Sequence, residues 1–217
     1  MPNRIPQLVV FDLDGVLARH DTMSELIRRR LRSSAWRTVR GALPAIAWFA
    51  LGSIPRARIR MSRAVGTVAL SGLDGVSYEA LAKSLGAELG SDPAWVLGNG
   101  VEAARRHLGA GDDVVVTTGT EETLSRAFLD AAGLADAKLN GTRLCFDGGR
   151  ARYLHHNLGR NKVDGLADRR IDLFYTDSSL DLPVASLSDH TVLINPDLGL
   201  ERAFRSRIQN LTVEQWP

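Results

Sequence analysis

One cysteine in 217 residues, Cys145, leaves no pair for an internal disulfide and no set for a cysteine-based zinc cluster. Lysine is nearly as scarce: of 27 basic residues only Lys83, Lys138 and Lys162 are lysine. No apolar run is long enough to span a bilayer, and the longest, residues 41–54, carries Pro44. The N-terminal residues lack the apolar core of a secretory leader, because Asp12 interrupts the run that begins at Leu8. These absences lead to the expectation of a cytoplasmic protein in a reducing compartment. What is present suits a folded chain: 44% hydrophobic and 24% charged residues, enough for one large domain with room for an insertion.

The charge is unevenly spread. Residues 18–65 hold eleven arginines against Asp21 and Glu25, while the whole chain carries a net charge of only +2. Such segregation suggests two modules with different surroundings. On amphipathic helices these arginines can simply face solvent. Alternatively, with the apolar residues 45–51 between them, they suit an anionic surface or a long anionic substrate such as a phospholipid, with peripheral membrane contact. No motif that reads nucleic acid accompanies the charge, and no nucleic-acid partner is expected.

Residues 7–12 read as a short buried strand, QLVVFD. From there to residue 90 the pattern is helical, with segments starting at Asp21 or Thr22 and others near 34–50, 56–70 and 77–89. Pro93 suits the first turn of a further helix reaching about His107. Strands are expected at 113–118, 172–177 and 191–195, with helices at 121–132 and near Lys162 between them. TRLCF and RARYL around Asp147-Gly148-Gly149 form a hairpin signal. Strands alternating with helices predict a mostly parallel, doubly wound α/β sheet. Its core would comprise residues 1–17 and 91–217, with 18–90 as a helical insertion.

Three apolar runs end in polar residues, and open α/β sheets bind ligands at the carboxyl ends of their strands. The first run ends at Asp12-Leu13-Asp14-Gly15, where alternation puts both aspartates on one side of the chain. Two such carboxylates repel unless a cation sits between them or one holds a proton. The second ends at Thr117-Thr118-Gly119-Thr120 and the third at Thr176-Asp177, with Asp181 four residues on. Lys162 precedes the third strand. Each fragment has a plainer reading as a turn, strand end or helix cap; together and in this order they point to phosphate chemistry. An EF-hand is excluded, since a loop from Asp12 would need Gly and Glu where Leu17 and Met23 stand. His155-His156 has no partner set for a metal and reads as loop or surface. A receiver-like signalling domain would need its acceptor aspartate on a middle strand, and Val114–Val116 offers none.

FDLDGVL, VVVTTGT, Lys162 and YTDSSLDLP resemble, in order, the four motifs of the haloacid dehalogenase superfamily of aspartate-nucleophile phosphatases and phosphotransferases. The long insertion, GTRL and INPD are similar to its phosphoserine phosphatase-like branch. The resemblance implies an α/β core with a helical cap and Mg²⁺ as cofactor, held by the side chains of Asp12 and Asp177 and the carbonyl of Asp14. It implies Asp12 as nucleophile and Asp14 as general acid and base, with Thr118, Gly119 and Lys162 on the phosphate. Asp181 would support Lys162 or a metal-bound water. Asp21 stands near where phosphoserine phosphatases carry a longer glutamate, so it is a candidate substrate contact with phosphoserine itself in question. Glu121 replaces a proline common in related enzymes and is expected to affect only the helix start. The expected substrate is a small phosphorylated molecule.

Overall fold

Val9, Val10 and Phe11 have no accessible surface, because the strand they form, β1 (Leu8–Phe11), is covered on both faces and paired on both edges. The computed structural model describes residues 5–34, 36, 38, 39, 55–166 and 169–217, with the side chains of 55–61 outside that description. The helix expected over 34–50 therefore falls largely outside the described residues, as does the apolar run 41–54.

In chain order β1 is followed by α1 (Thr22–Arg32), α2 (Pro55–Ala69), α3 (Gly75–Ser91), α4 (Gly98–Gly109) and β2 (Asp113–Glu121). Next come α5 (Glu122–Ala131), β3 (Lys138–Asp147), β4 (Arg150–His155), a single helical turn α6 (Asn161–Asp164) and β5 (Ile171–Thr176). The chain closes with α7 (Leu182–Ala185), β6 (Ser188–Ile194), α8 (Leu198–Arg205) and β7 (Leu211–Glu214). The seven strands form one sheet in the order β4-β3-β2-β1-β5-β6-β7, parallel throughout except for the antiparallel β3–β4 hairpin. The hairpin turns at Gly148 and Gly149, both with positive φ, the backbone that a two-residue turn matched to strand twist requires.

Side-chain alternation divides the core into two layers. Val9, Phe11, Val114, Val116, Val192 and Ile194 face one side, with α3, α4 and α5. Leu8, Val10, Val115, Phe174 and Leu193 face the other, with Phe204 of α8 and Val184 of α7. This is the mostly parallel, doubly wound α/β sheet expected from the sequence. Within the 18–90 segment, Leu26, Leu70, Tyr78, Leu85 and Leu89 belong to the first cluster, so part of this segment packs directly on the sheet layer. The chain enters and leaves the segment side by side: Leu97 N donates to Leu17 O at 2.9 Å, and Arg19 N to Trp95 O at 2.7 Å.

That pairing also corrects one expectation. Pro93 does not open a helix; α4 starts at Gly98, and residues 92–97 form a turn in which Asp92 accepts from Ala94 N at 2.8 Å. The end of that turn, residues 95–97, pairs with residues 17–19, which a helix would forbid. β7 and α8 had no clear signal in the sequence. β7 is four residues long and is recruited to the sheet edge by β6.

Candidate active site

The carboxyl ends of β1, β2 and β5 open into a cavity of about 390 Å³ whose wall includes Asp12, Asp14, Gly119, Lys162, Asp177 and Asp181. The chain reaches it from β1 through a tight loop in which Leu13 O accepts from both Leu17 N and Ala18 N at 2.8 Å. On the other side β2 loses its register with β3 between Thr117 and Glu121, and this irregularity turns Gly119 and Thr120 toward the cavity.

Lys162, on the one-turn helix α6, is 2% exposed and binds two carboxylates. Its Nζ lies 3.0 Å from Asp12 Oδ1 and 2.9 Å from Asp181 Oδ1, and donates to Asp181 Oδ2 at 3.0 Å. Thr176 Oγ1 donates to the same Asp181 oxygen at 2.9 Å. Burial works against the ammonium, but the charges of Asp12 and Asp181 outweigh it and raise its pKa. Burial pushes Asp12 well above the usual carboxylate range; Lys162 opposes that shift, and the nearby charges of Asp181 and Asp177 add to it.

Asp14 sits in a different environment. Its Oδ1 accepts from Thr22 N at 2.8 Å and Thr22 Oγ1 at 2.9 Å, and its Oδ2 accepts from Thr120 Oγ1 at 2.8 Å. Burial raises its pKa from 3.8 to about 7, helped by the charge of Asp21 and opposed by the Thr22 and Thr120 hydrogen bonds. Two aspartates two residues apart are thus held differently: one against an ammonium, the other among hydroxyls at a pKa suited to proton transfer near neutrality.

Asp177 follows β5 and presses on the loop after β1. Gly15 has φ +80°, and a Cβ there would lie 1.8 Å from Asp177 Oδ2. Burial, then the charge of Asp181, raises the Asp177 carboxyl to about 6. Lys162 is committed to Asp12 and Asp181, and no ion pair among the described residues reaches Asp177. A half-buried carboxylate beside Asp12 without its own counter-ion fits an oxygen-ligated hard cation. No cluster of three or more His, Cys, Asp or Glu side chains among the described residues is arranged to hold a metal. Any ion here would therefore use fewer carboxylates, with carbonyl, water and substrate oxygens completing its shell.

The other expected residues are distributed as follows. Thr118 is fully buried, does not line the cavity, and accepts from Thr120 N at 3.0 Å, so it braces the β2 end from behind. Asp21 lines the cavity while its carboxylate caps α1 through Ser24 N at 2.6 Å. Glu121 does more than start a helix: it caps α5 and accepts from the Tyr78 hydroxyl of α3 at 2.8 Å, tying the two helices together. His156, expected in a loop or at the surface, follows β4 in a loop, but it is only 8% exposed and lines the cavity. Arg63 of α2 donates to its Nδ1 at 2.9 Å, and burial, with the Arg63 charge adding, lowers its pKa to about 4. Reading His156 correctly required knowing that α2 packs beside β4. Asn157 also escaped the sequence; its buried amide donates to Thr117 Oγ1 and Thr118 O, each at 3.1 Å, and pins the β2 irregularity.

The family model described as haloacid dehalogenase-like hydrolase matches residues 9–186. No curated protein sequence matches the chain. Among solved structures, a protein of unknown function from Bordetella pertussis Tohama I aligns with TM-score 0.64 at 20% identity, over 96% of this chain and 98% of that one. A substrate-bound phosphoserine phosphatase aligns with TM-score 0.60 at 12% identity, over 96% and 93%. A cytosolic 5'-nucleotidase IIIB bound to cytidine gives TM-score 0.66 at 12% identity, over 97% and 81%. At these identities the likeness is one of fold.

Proposed function

Because the chain belongs to the haloacid dehalogenase-like hydrolases, we propose that it is a Mg²⁺-dependent phosphatase that hydrolyses a small phosphomonoester through an aspartyl-phosphate on Asp12. The observation that carries this reading is the unequal environment of Asp12 and Asp14 at the end of β1. The phosphoserine phosphatase and nucleotidase among the fold's neighbours supply the expectation of a small phosphorylated substrate.

Asp12 and Asp177, with the Asp14 carbonyl, would hold the Mg²⁺, which when bound offsets the repulsion between the carboxylates and the phosphate dianion. Lys162 holds Asp12 in place and adds positive charge beside the phosphoryl group. An Asp12 carboxylate oxygen attacks phosphorus, the ester P–O bond breaks, and the leaving oxygen takes the proton of Asp14. Asp14, now a carboxylate, accepts a proton from water as that water attacks the acyl phosphate. Inorganic phosphate leaves and both aspartates return to their starting states. Gly119 and the backbone beside it line the space for phosphate oxygens. Residues 18–90, entered and left through the paired segments at 17–19 and 95–97, would serve as the cap that selects the substrate.

Hydrolysis of 4-nitrophenyl phosphate with and without Mg²⁺ tests the reading. Activity that requires Mg²⁺ and vanishes in Asp12→Asn is expected; activity undiminished in Asp12→Asn would overturn it.

A further inference from the structure

We propose that Thr22 and Thr120 are positioning residues that clamp the Asp14 carboxyl toward the leaving oxygen, so that the first turn of the inserted helical segment sets the efficiency of proton donation. The proposal rests on the phosphatase reading above. Its basis is a closed ring of four oxygens: Asp14 Oδ1 to Thr22 Oγ1 at 2.9 Å, Thr22 Oγ1 to Thr120 Oγ1 at 3.1 Å, and Thr120 Oγ1 to Asp14 Oδ2 at 2.8 Å. Two hydroxyl protons can fill only two of these three contacts. With both spent on the carboxyl, Oδ2 carries one hydrogen bond against two on Oδ1 and keeps a lone pair for the proton that passes to the leaving oxygen.

Neither threonine is needed where it stands for a generic structural reason. Asp21 already caps α1, so the helix does not require the Thr22 hydroxyl. The Thr22 N–H, one of the donors a helix leaves unpaired in its first turn, points at Asp14 Oδ1 at 2.8 Å. Thr120 sits in the irregular end of β2, where its own N–H is held by Thr118 Oγ1. Both side chains are buried, Thr22 at 0% and Thr120 at 1% exposure. They come from opposite sides, 98 residues apart in sequence. A carboxyl gripped at both oxygens by two elements cannot rotate away from the reacting atoms, and orientation of this kind is a large part of intramolecular rate advantage.

The test is leaving-group dependence. A correctly aimed proton donor matters more to a poor leaving group than to a good one, and kcat/KM reports the step in which the leaving group departs. In Thr22→Val and in Thr120→Val, kcat/KM for phenyl phosphate is expected to fall about tenfold further than kcat/KM for 4-nitrophenyl phosphate. Thr→Ser at either position, which restores the hydroxyl, is expected to bring the ratio back to within about threefold of wild type. Should Thr22→Val fail to fold, Thr22→Ala and the Thr120 variants decide. Equal losses on both substrates, or serine variants that fold but do not recover the ratio, overturn the clamp while leaving the phosphatase reading intact. A wild-type protein inactive on both substrates overturns that reading and the clamp with it.

Discussion

Gly15 is the residue at which sequence constraint and chemistry meet most closely. Its positive φ disfavours any side chain, and the space a Cβ would take is occupied by the carboxylate of Asp177. Gly15→Ala must therefore displace Asp177. The Mg²⁺ concentration for half-maximal activity is expected to rise at least about tenfold, or activity to be lost; an unchanged Mg²⁺ titration would show that Asp177 does not hold the ion. At this scale the sequence was partly legible. Asp12, Asp14, Lys162, Asp177 and Asp181 each stand in a short ordered motif, and the structure gathers all five around one cavity. Thr22, Thr120 and His156 were hidden because their roles depend on partners 8 to 106 residues away, which no local pattern encodes. Thr118 was in view, but its neighbour Thr120 carries the hydroxyl that reaches Asp14, since the break in register between Thr117 and Glu121 upsets simple strand alternation.

Among the described elements, α3 and α5 pack with their backbones in close approach. A Cβ on Gly86 would lie 2.5 Å from Leu124 O, and one on Gly90 2.3 Å from Phe128 O, so the backbones approach as glycine alone permits. Tyr78 and Glu121 lock the same pair by a buried hydrogen bond. Gly86→Ala gains helix propensity but forces the helices apart, with an expected net loss of about 1–3 kcal/mol in urea unfolding; a variant as stable as wild type would contradict this packing. Long apolar or amphipathic segments were readable from periodicity, and so were the hairpin glycines. Short elements were not: β7 is a strand because β6 offers it an edge, and residues 95–97 stay out of a helix because residues 17–19 pair with them.

For the molecule as a whole, the half-buried acids of the site imply a cost of folding without a cation. Asp14 moves from 3.8 to about 7 and Asp177 from 3.8 to about 6, so the folded protein holds protons that the unfolded chain releases between those values. Stability contributed by these groups is therefore lost as pH rises from about 4 to about 7. His156, held neutral down to about 4, works in the opposite sense up to about 6.5. The carboxyl contribution is isolated by comparison with Asp14→Asn, whose amide does not titrate. Without Mg²⁺, the melting temperature of the wild type relative to that variant is expected to fall as pH rises through the window; a flat or rising difference would contradict the raised pKa of Asp14. Mg²⁺ should stabilise the wild type at neutral pH by mass action. The parallel sheet was legible from the alternation of buried strands with helices. The arginine excess of residues 18–65 was equally plain, but most of the segment expected to meet an anionic surface lies outside the described residues. Among the described residues no helix is long and apolar enough to cross a membrane.

The central claim is that Asp12 becomes covalently phosphorylated. Turnover with 4-nitrophenyl phosphate, quenched in acid and treated with borohydride, converts an aspartyl-phosphate to homoserine that peptide mass spectrometry can locate. The account predicts homoserine at position 12 alone, absent in Asp12→Asn. Turnover with no adduct at position 12, or an adduct on another residue, would contradict it.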